Sequence, residues 1–230
     1  MTSGVNPKRR YESPRRREQA DATRRQIRLA AQRLFEEQGY LATTMAAVAT
    51  AAGVSLKTVY LAFDTKSRLL RAVWDVLLRG EQDQPVAQVE WFTEMMAEPD
   101  PARQLRLNAR NSRRVKERIG AMLRVIHNAA PQDAEADALW ELIQTDFHAN
   151  QRTVVESLHR KGALLPTLDV DGATDILWAL NHPDVWHLLT GRRGWSPDRY
   201  EAWFGDISIA QLLTPDRRAP ATHDADPPGD

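Results

Sequence analysis

Small polar and basic side chains follow a predicted tight turn at Ala52-Gly53. Ser55 is suited to cap the short helix that comes next, because its hydroxyl can accept a hydrogen bond from a free backbone N–H. On that helix Lys57, Thr58 and Tyr60 offer basic and polar side chains outward, as a helix that enters a major groove requires. These residue types on one short helix predict a segment that reads base edges in a DNA major groove.

Three short helices must position these side chains. The first is predicted at about residues 21–38, where apolar residues recur at helical spacing. The second begins after an N-cap at Thr43 or Thr44, and the third begins at Ser55. Small residues before and within the turn let the second and third helices cross closely, which a helix-turn-helix requires.

Residues 21–80 resemble the DNA-binding domain of the TetR/AcrR family of transcriptional regulators. The order and spacing of many separate features agree, and the matching segments are Leu34-Phe35-Glu36-Glu37-Gln38-Gly39-Tyr40, Thr43-Thr44-Met45, Ala49, Ala52-Gly53-Val54-Ser55, Thr58-Val59-Tyr60-Leu61-Ala62-Phe63, and Lys66 with Leu69-Leu70. The resemblance implies a homodimer whose two third helices enter successive major grooves of a near-palindromic operator in double-stranded DNA. The rest of the chain agrees only in kind, as a series of amphipathic helices.

The resemblance also implies which side chains contact DNA. Tyr60 and Lys66 are expected at phosphates, and Lys66 acts together with the N-terminus of a fourth helix. The complete set implied in this way is Thr43, Thr44, Ser55, Lys57, Thr58, Tyr60 and Lys66. One departure is the run Met45-Ala46-Ala47, where some family members carry a long polar residue, and this puts base reading from the second helix in doubt.

Charge is distributed unevenly along the chain. The net charge is zero, with 31 Lys and Arg against 31 Asp and Glu. Residues 1–80 nevertheless hold 15 basic and 7 acidic side chains, a local charge of +8, so residues 81–230 carry −8. Residues 1–20 are predicted to be a flexible basic arm. Its run Arg15-Arg16-Arg17 either enters a minor groove or only raises non-specific affinity.

Residues 81–213 are predicted to form a larger helical domain, followed by a disordered tail at 214–230 that is rich in Pro and Asp. Helices are expected at about 85–98, 101–128, 133–162, 170–190 with a bend at Pro183, and 197–213. The resemblance implies that the last two form the dimer interface. The 197–213 helix supports this because it is apolar on more than one side. The predicted fold class is all-α, with an N-terminal three-helix helix-turn-helix domain before a larger ligand-binding and dimerisation domain.

Polar residues interrupt two predicted apolar stripes of this second domain. Asn108 and Ser112 lie on the stripe of the 101–128 helix, and Asn150 lies on that of the 133–162 helix. A buried amide without a partner costs about 1–3 kcal/mol, so each residue needs a partner in the protein, a water or a ligand. A small-molecule cavity would combine these three with apolar residues, for which the candidates are Trp91, Met95, Met122, Phe147 and Trp178. Polar groups satisfied within the protein are the alternative.

Composition excludes several other classes of protein. The sequence has no Cys, so disulfide scaffolds and thiolate metal sites are absent. No run of about 18 apolar residues predicts a membrane span, and an intracellular, cytoplasmic protein is expected. His182 and His187 do not have metal-ligand spacing, and no nucleophile–base–acid set is visible. Catalytic residues, metals and cofactors are therefore not expected.

The sequence thus predicts a sequence-specific DNA-binding transcriptional regulator, a repressor, that a small-molecule ligand releases from its operator. The alternative is a helix-turn-helix regulator controlled by a protein partner or acting without a ligand. An enzyme is not expected.

Overall fold

The computed structural model describes residues 14–79 and 90–218, and all the elements named in these ranges are helices. The helices are α1 Pro14–Gln38, α2 Met45–Ala52, α3 Leu56–Phe63, α4 Lys66–Arg79, α5 Glu90–Ala97, α6 Pro101–Ala129, α7 Ala134–Arg160, α8 Val170–Leu180, α9 Pro183–Trp186 and α10 Pro197–Leu212. A π-helical segment, His187–Arg192, follows α9, and short 3₁₀ turns span Ala130–Gln132 and Pro215–Arg217. Within the described ranges the only β pairing is an isolated bridge between Leu164 and Leu213, so the predicted all-α class is confirmed.

The chain divides into two compact units, Met1–Val73 and Trp74–Asp230. The division falls inside α4, whereas the predicted domain boundary lies at the C-terminal end of this helix, after residue 80. One continuous helix therefore contributes residues to both units.

The core of the first unit consists of the apolar residues that the helical spacing predicts. Ile27 and Phe35 of α1 are fully buried, as is Val59 of α3, and α2 packs against both helices. Thr44 caps α2 and Ser55 caps α3, each through its side-chain oxygen, as expected.

The start of α1 differs from the prediction. The helix begins at Pro14, so the expectation of a flexible arm is wrong for residues 14–20, and residues 1–13 lie outside the described residues. Pro is well suited to the first helical position because it has no N–H to leave unpaired, and the Arg, Glu and Ala residues that follow are good helix formers.

The second unit is organised around α6. This helix packs against α10, α7 and α5, and α8 packs against α7 and α10. Gly205 lies where α10 approaches α6, since a Cβ atom at this position would stand 3.6 Å from Ala109 Cβ. The shared core includes the buried side chains of Leu105, Leu158, Leu177, Tyr200 and Phe204.

The remaining helices begin and end close to their predicted positions. The predicted bend at Pro183 is a complete break between α8 and α9, and the π-helical segment follows. Ser196 and Pro197 start α10 as N-cap and first helical residue, as predicted. The part of the 85–98 helix before Glu90, and the predicted tail from residue 219 onward, lie outside the described residues.

Across the described part of the chain, no single helix is both long and apolar enough for a membrane span. Only α2 and α3, counted together across their bend, reach the required apolarity. The described residues, 14–79 and 90–218, contain no cluster of His, Cys, Asp and Glu that could hold a metal ion.

Candidate nucleic-acid interface and ligand cavity

The helix pair α2 and α3 has the geometry of a helix-turn-helix. The two helices meet at 108°, within the range for this motif. Gly53 ends α2 with φ of +65°, a left-handed conformation that favours glycine, and its N–H bonds the carbonyls of Ala49 and Thr50. The turn that the sequence predicts at Ala52-Gly53 is therefore present.

The outward face of α3 carries the residues that were expected to read bases. Lys57 is exposed and Tyr60 is 49% exposed. The Ser55 and Thr58 hydroxyl oxygens lie 2.8 Å apart, and Ser55 Oγ also accepts from the Thr58 N–H at 3.1 Å. Leu61, at 78% exposure, was not singled out from the sequence as a contact residue. An exposed apolar side chain on this face is suited to thymine methyl groups.

A cation on α1 holds the C-terminal end of α3 in place. Arg24 donates through Nη1 to the Ala62 carbonyl oxygen at 2.5 Å, and its guanidinium lies 4.6 Å from the centroid of the Phe63 ring. Asp64 then closes α3 with φ of +61° and pairs with Arg68 at 2.7 Å. Sequence reasoning did not find Arg24, because nothing in the local pattern shows that α1 and the end of α3 meet.

Thr43 lies in a different environment from the one expected. Its side chain is fully buried, donates to the Gly39 carbonyl at 2.8 Å and accepts from Gln38 Nε2 at 3.2 Å. A buried hydroxyl with these partners cannot reach a phosphate, so the expected DNA contact of Thr43 is wrong for this conformation. Thr44, by contrast, is exposed.

Lys66 lies at the start of α4, as expected, but its ammonium group has internal partners. Nζ donates to the carbonyl oxygens of Tyr40 at 3.0 Å and Thr43 at 3.2 Å, and it lies 4.1 Å from the centroid of the Tyr40 ring. The side chain thereby ties α4 to the loop before α2. Its contact with a phosphate stays a prediction.

Arg15, Arg16 and Arg17 lie in the first turn of α1, and all three are exposed. They are therefore held on a helix rather than on an extended arm. Along the helix axis, successive residues are about 1.5 Å apart.

The eight side chains that were expected at a ligand do not form one cluster. Met95 and Met122 are fully buried core residues, and Asn108 is 7% exposed with no hydrogen-bond partner for Nδ2 among the described residues. Ser112 donates to Asn181 Oδ1, so its partner is another side chain. Ser112 is half-buried, as are Trp91, Phe147, Asn150 and Trp178.

A buried lysine occupies the position next to Ser112 on the α6 helical face. Lys116 is 5% exposed, and its Nζ donates to Ser112 Oγ at 2.7 Å and to Asn181 Oδ1. Asn181 in turn donates to Gln151 Oε1 at 3.3 Å. Burial lowers the pKa of Lys116 well below its ordinary value.

Sequence reasoning missed Lys116, since a lysine in an Arg-rich helix is usually solvent-exposed. The available signal was its i, i+4 spacing from Ser112, which puts both on one face.

A cavity of about 570 Å³ opens beside this lysine in the second unit. Its walls come from the second half of α6, from α7 and from α9 with the π-helical segment. They are formed by Lys116, Glu117, Gly120, Ala121, Leu123, Arg124, His127, Asn128, Trp140, Pro183, Asp184, Trp186, His187 and Arg192. None of the eight expected ligand residues is among them.

The helices expected at the dimer interface keep apolar side chains partly accessible. Ile176 and Leu180 of α8 and Trp203 and Ile207 of α10 are only half-buried within one chain. A second surface covering them would bury apolar area that a single chain leaves in contact with water.

Comparison with known proteins agrees with this architecture. Residues 27–73 match the model of bacterial regulatory proteins of the tetR family. ArpR of Pseudomonas putida, a probable HTH-type transcriptional regulator, is 29% identical over 171 residues, which cover 72% of this chain and 79% of ArpR. TtgR, an HTH-type transcriptional regulator of the same species, is 41% identical over 63 residues, or 27% of this chain and 30% of TtgR.

A solved structure shares the fold over most of the chain. It is NalD, the secondary repressor of the MexAB-OprM multidrug efflux pump in Pseudomonas aeruginosa. The TM-score is 0.65 at 23% identity, with 85% of this chain and 99% of NalD covered. The helix-turn-helix geometry and the family match together show that residues 27–73 are a domain of the tetR type of bacterial regulatory proteins, and the second unit shares only its fold with NalD.

Proposed function

We propose that this protein is a homodimeric repressor that binds a near-palindromic operator through α3 and is released when a small molecule binds in its second unit. The observation that carries the proposal is the combination of an exposed polar α3 face in one unit with a cavity of about 570 Å³ in the other. NalD is described as a repressor, which supports the negative sign of the regulation.

Base reading is assigned to the exposed face of α3. Lys57 donates to guanine, Thr58 contacts thymine methyl groups, and Tyr60 binds a phosphate. The Ser55 side chain keeps the first turn of α3 intact through its bond to the Thr58 N–H, which holds Lys57 and Thr58 in register with the groove.

Dimerisation is assigned to α8 and α10. Their half-buried apolar side chains, Ile176, Leu180, Trp203 and Ile207, are suited to a four-helix interface between two copies. A two-fold axis between copies places the two α3 helices about one DNA turn apart, which is the reason for a near-palindromic operator.

Helix α6 and helix α4 supply a path from the ligand to the DNA. Lys116 and Gly120 of α6 line the cavity, and Arg118 of the same helix donates to the Leu78 carbonyl oxygen in the last turn of α4 at 3.1 Å. A ligand that shifts this part of α6 therefore displaces the end of α4, the helix that begins beside the helix-turn-helix. Release follows only if the ligand binds more tightly to the DNA-free conformation.

The test starts from selection of genomic fragments by the purified protein, which identifies the operator without prior assumptions. Fluorescence anisotropy then gives the operator affinity, and light scattering gives the mass of the free protein. We expect recovered sites with two-fold symmetry and a dimeric mass. Asymmetric sites or a monomer would refute the dimer model.

The alternative, control by a protein partner, predicts that no small molecule changes operator affinity. The cavity favours the ligand model, because its volume of about 570 Å³ is within the range of small-molecule sites.

A further inference from the structure

The cavity beside Lys116 carries an excess of positive charge. Of its two acidic side chains, Glu117 pairs with Arg113 at 3.4 Å, whereas Asp184 has only the imidazoles of His127 at 3.8 Å and His182 at 3.5 Å beside it. Within the described parts of the chain, no carboxylate forms an ion pair with Lys116, Arg124 or Arg192. Lys116, Arg124 and Arg192 therefore outnumber the carboxylates of Glu117 and Asp184 on the cavity wall.

Lys116 lies at the buried end of this arrangement. Its ammonium carries three N–H donors, of which Ser112 Oγ and Asn181 Oδ1 accept two. The rings of Tyr200 and Phe204 lie 5.3 and 5.7 Å from Nζ and partly stabilise its charge. The third donor has no acceptor among the described residues, and Lys116 is one of the residues that line the cavity. Arg124 and Arg192, which are exposed, lie at the rim.

The walls of the cavity include two tryptophans, Trp140 and Trp186. Trp140 stacks with His127 at 4.4 Å between ring centroids and 10° between ring planes. Trp186 meets the Tyr200 ring edge-on, and its indole packs beside Gly120 of α6. Flat aromatic surfaces of this kind favour flat aromatic ligands.

A π-helical segment forms the remaining wall. His187–Arg192 adopts this uncommon geometry, which is frequent at functional sites. Gly191 permits it locally, because a Cβ there would lie 3.0 Å from His187 Nδ1.

We propose that this cavity binds an organic anion with a flat aromatic body, an aromatic carboxylate, whose carboxylate oxygen accepts the free Lys116 donor and whose rings pack against Trp140 and Trp186. Arg124 and Arg192 attract the anion at the rim. The inference rests on the proposed function, since it names the ligand class for the second unit.

Isothermal titration of the full-length protein with a matched pair of ligands tests the inference. The pair is 2-naphthoate and 2-naphthamide, which share the two-ring body and differ in charge. A charge-assisted hydrogen bond in a buried site predicts that the carboxylate binds about tenfold or more tightly. If the wild-type protein binds the two ligands with equal affinity, or does not bind 2-naphthoate, the inference is wrong, and no variant is needed to show this.

Variants assign the effect to Lys116. Lys116→Met keeps the length of the side chain without the ammonium, and we expect it to lose the preference for 2-naphthoate while binding 2-naphthamide as before. The matched control is Lys161→Met, because Lys161 is a second partly buried lysine of the same unit. It donates to Glu98 O and Gln104 Oε1, both at 2.5 Å, and does not line the cavity. Loss of the preference in the control, or its survival in Lys116→Met, would contradict the assignment.

A double variant at exposed positions tests the anion site without the risk that a substitution in the core prevents folding. Arg124→Gln with Arg192→Gln changes only rim residues, so it should fold normally and weaken 2-naphthoate binding by a smaller factor that decreases at high salt. An affinity that does not change at low salt would argue against an anion in this cavity.

Failure of this inference and failure of the proposed function give different results. If 2-naphthoate does not bind, selection of a symmetric operator by a dimer still stands. If 2-naphthoate binds with the Lys116-dependent preference but leaves operator affinity unchanged, the ligand class is supported. The proposal that ligand binding releases the protein from its operator is then wrong.

Discussion

Replacing Lys116 by Met should stabilise the folded protein. The side chain is 5% exposed, and burial holds its pKa well below 10.5. Exchange of a buried ionic group for an apolar one of similar shape is neutral or stabilising by about 1–4 kcal/mol. The partners are not orphaned by the change, since Asn181 Oδ1 keeps the hydrogen bond from the Ser112 hydroxyl. We therefore expect a higher free energy of unfolding for Lys116→Met near pH 7.5.

This advantage should decrease as pH rises. Between the lowered folded pKa and 10.5, the unfolded wild type holds a proton on Lys116 that the folded wild type does not. Wild-type stability then increases with pH by up to about 1.4 kcal/mol per pH unit, and Lys116→Met lacks this gain. Burial lowers the pKa of His182 from 6.5, so this side chain is neutral in both states above pH 7.5. Burial raises the pKa of Tyr200, but Tyr200 is present in both proteins, so its titration does not contribute to the difference between them.

Tryptophan fluorescence is a suitable readout for this prediction. All seven Trp residues lie in Trp74–Asp230, so the signal during denaturant unfolding reports the second unit. Titrations from pH 7.5 upward should show the two proteins converging once the pH exceeds the lowered folded pKa of Lys116. Lys57→Met, at an exposed position of the first unit, is the control and should change stability by less than about 0.5 kcal/mol. A Lys116→Met variant that is less stable than wild type at pH 7.5, or a difference independent of pH, would refute the account of Lys116 as a desolvated cation.

The other predictions concern DNA binding and assembly. Lys57→Ala should weaken operator binding by about 1–3 kcal/mol in anisotropy titrations and leave random DNA nearly unaffected; an equal loss on both would exclude base reading. Replacing the run Arg15-Arg16-Arg17 by Gln should reduce the slope of log K against log salt by about 0.9 for each phosphate that is no longer neutralised, and an unchanged slope would remove these residues from the interface. Ile207→Asp, on the half-buried face of α10, should shift the mass measured by light scattering from dimer to monomer, and a dimer that persists would move the interface elsewhere.

The helix-turn-helix could be predicted from the sequence because the interactions that define it are local. Thr44 and Ser55 cap helices through backbone N–H groups only three residues ahead, and Gly53 has the left-handed φ that the turn requires. Rules of this range can be applied to neighbouring residues without knowledge of the tertiary fold.

The candidate ligand site could not be predicted in the same way. Lys116 is buried because it meets Asn181, 65 residues away along the chain, and the rings of Tyr200 and Phe204. Asn108 is buried and Ser112 and Asn150 are half-buried, but whether any of them faces a ligand depends on which helices cover the two stripes. Thr43 shows the opposite error, since a polar residue at a helix start was expected on the surface and is buried by Gln38 and Gly39.

The sequence by itself determined the all-α class, the helix-turn-helix with its caps and outward-facing Lys57, and the concentration of positive charge in residues 1–80, because these follow from periodicity, capping and composition. Only the tertiary structure decided which basic side chains are buried away from water and where a cavity lies. Burial of Lys116 and the aromatic walls at Trp140 and Trp186 arise where α6, α7 and the π-helical segment meet. Desolvation and cavity shape are properties of packing between segments distant in the chain, and no local pattern specifies them.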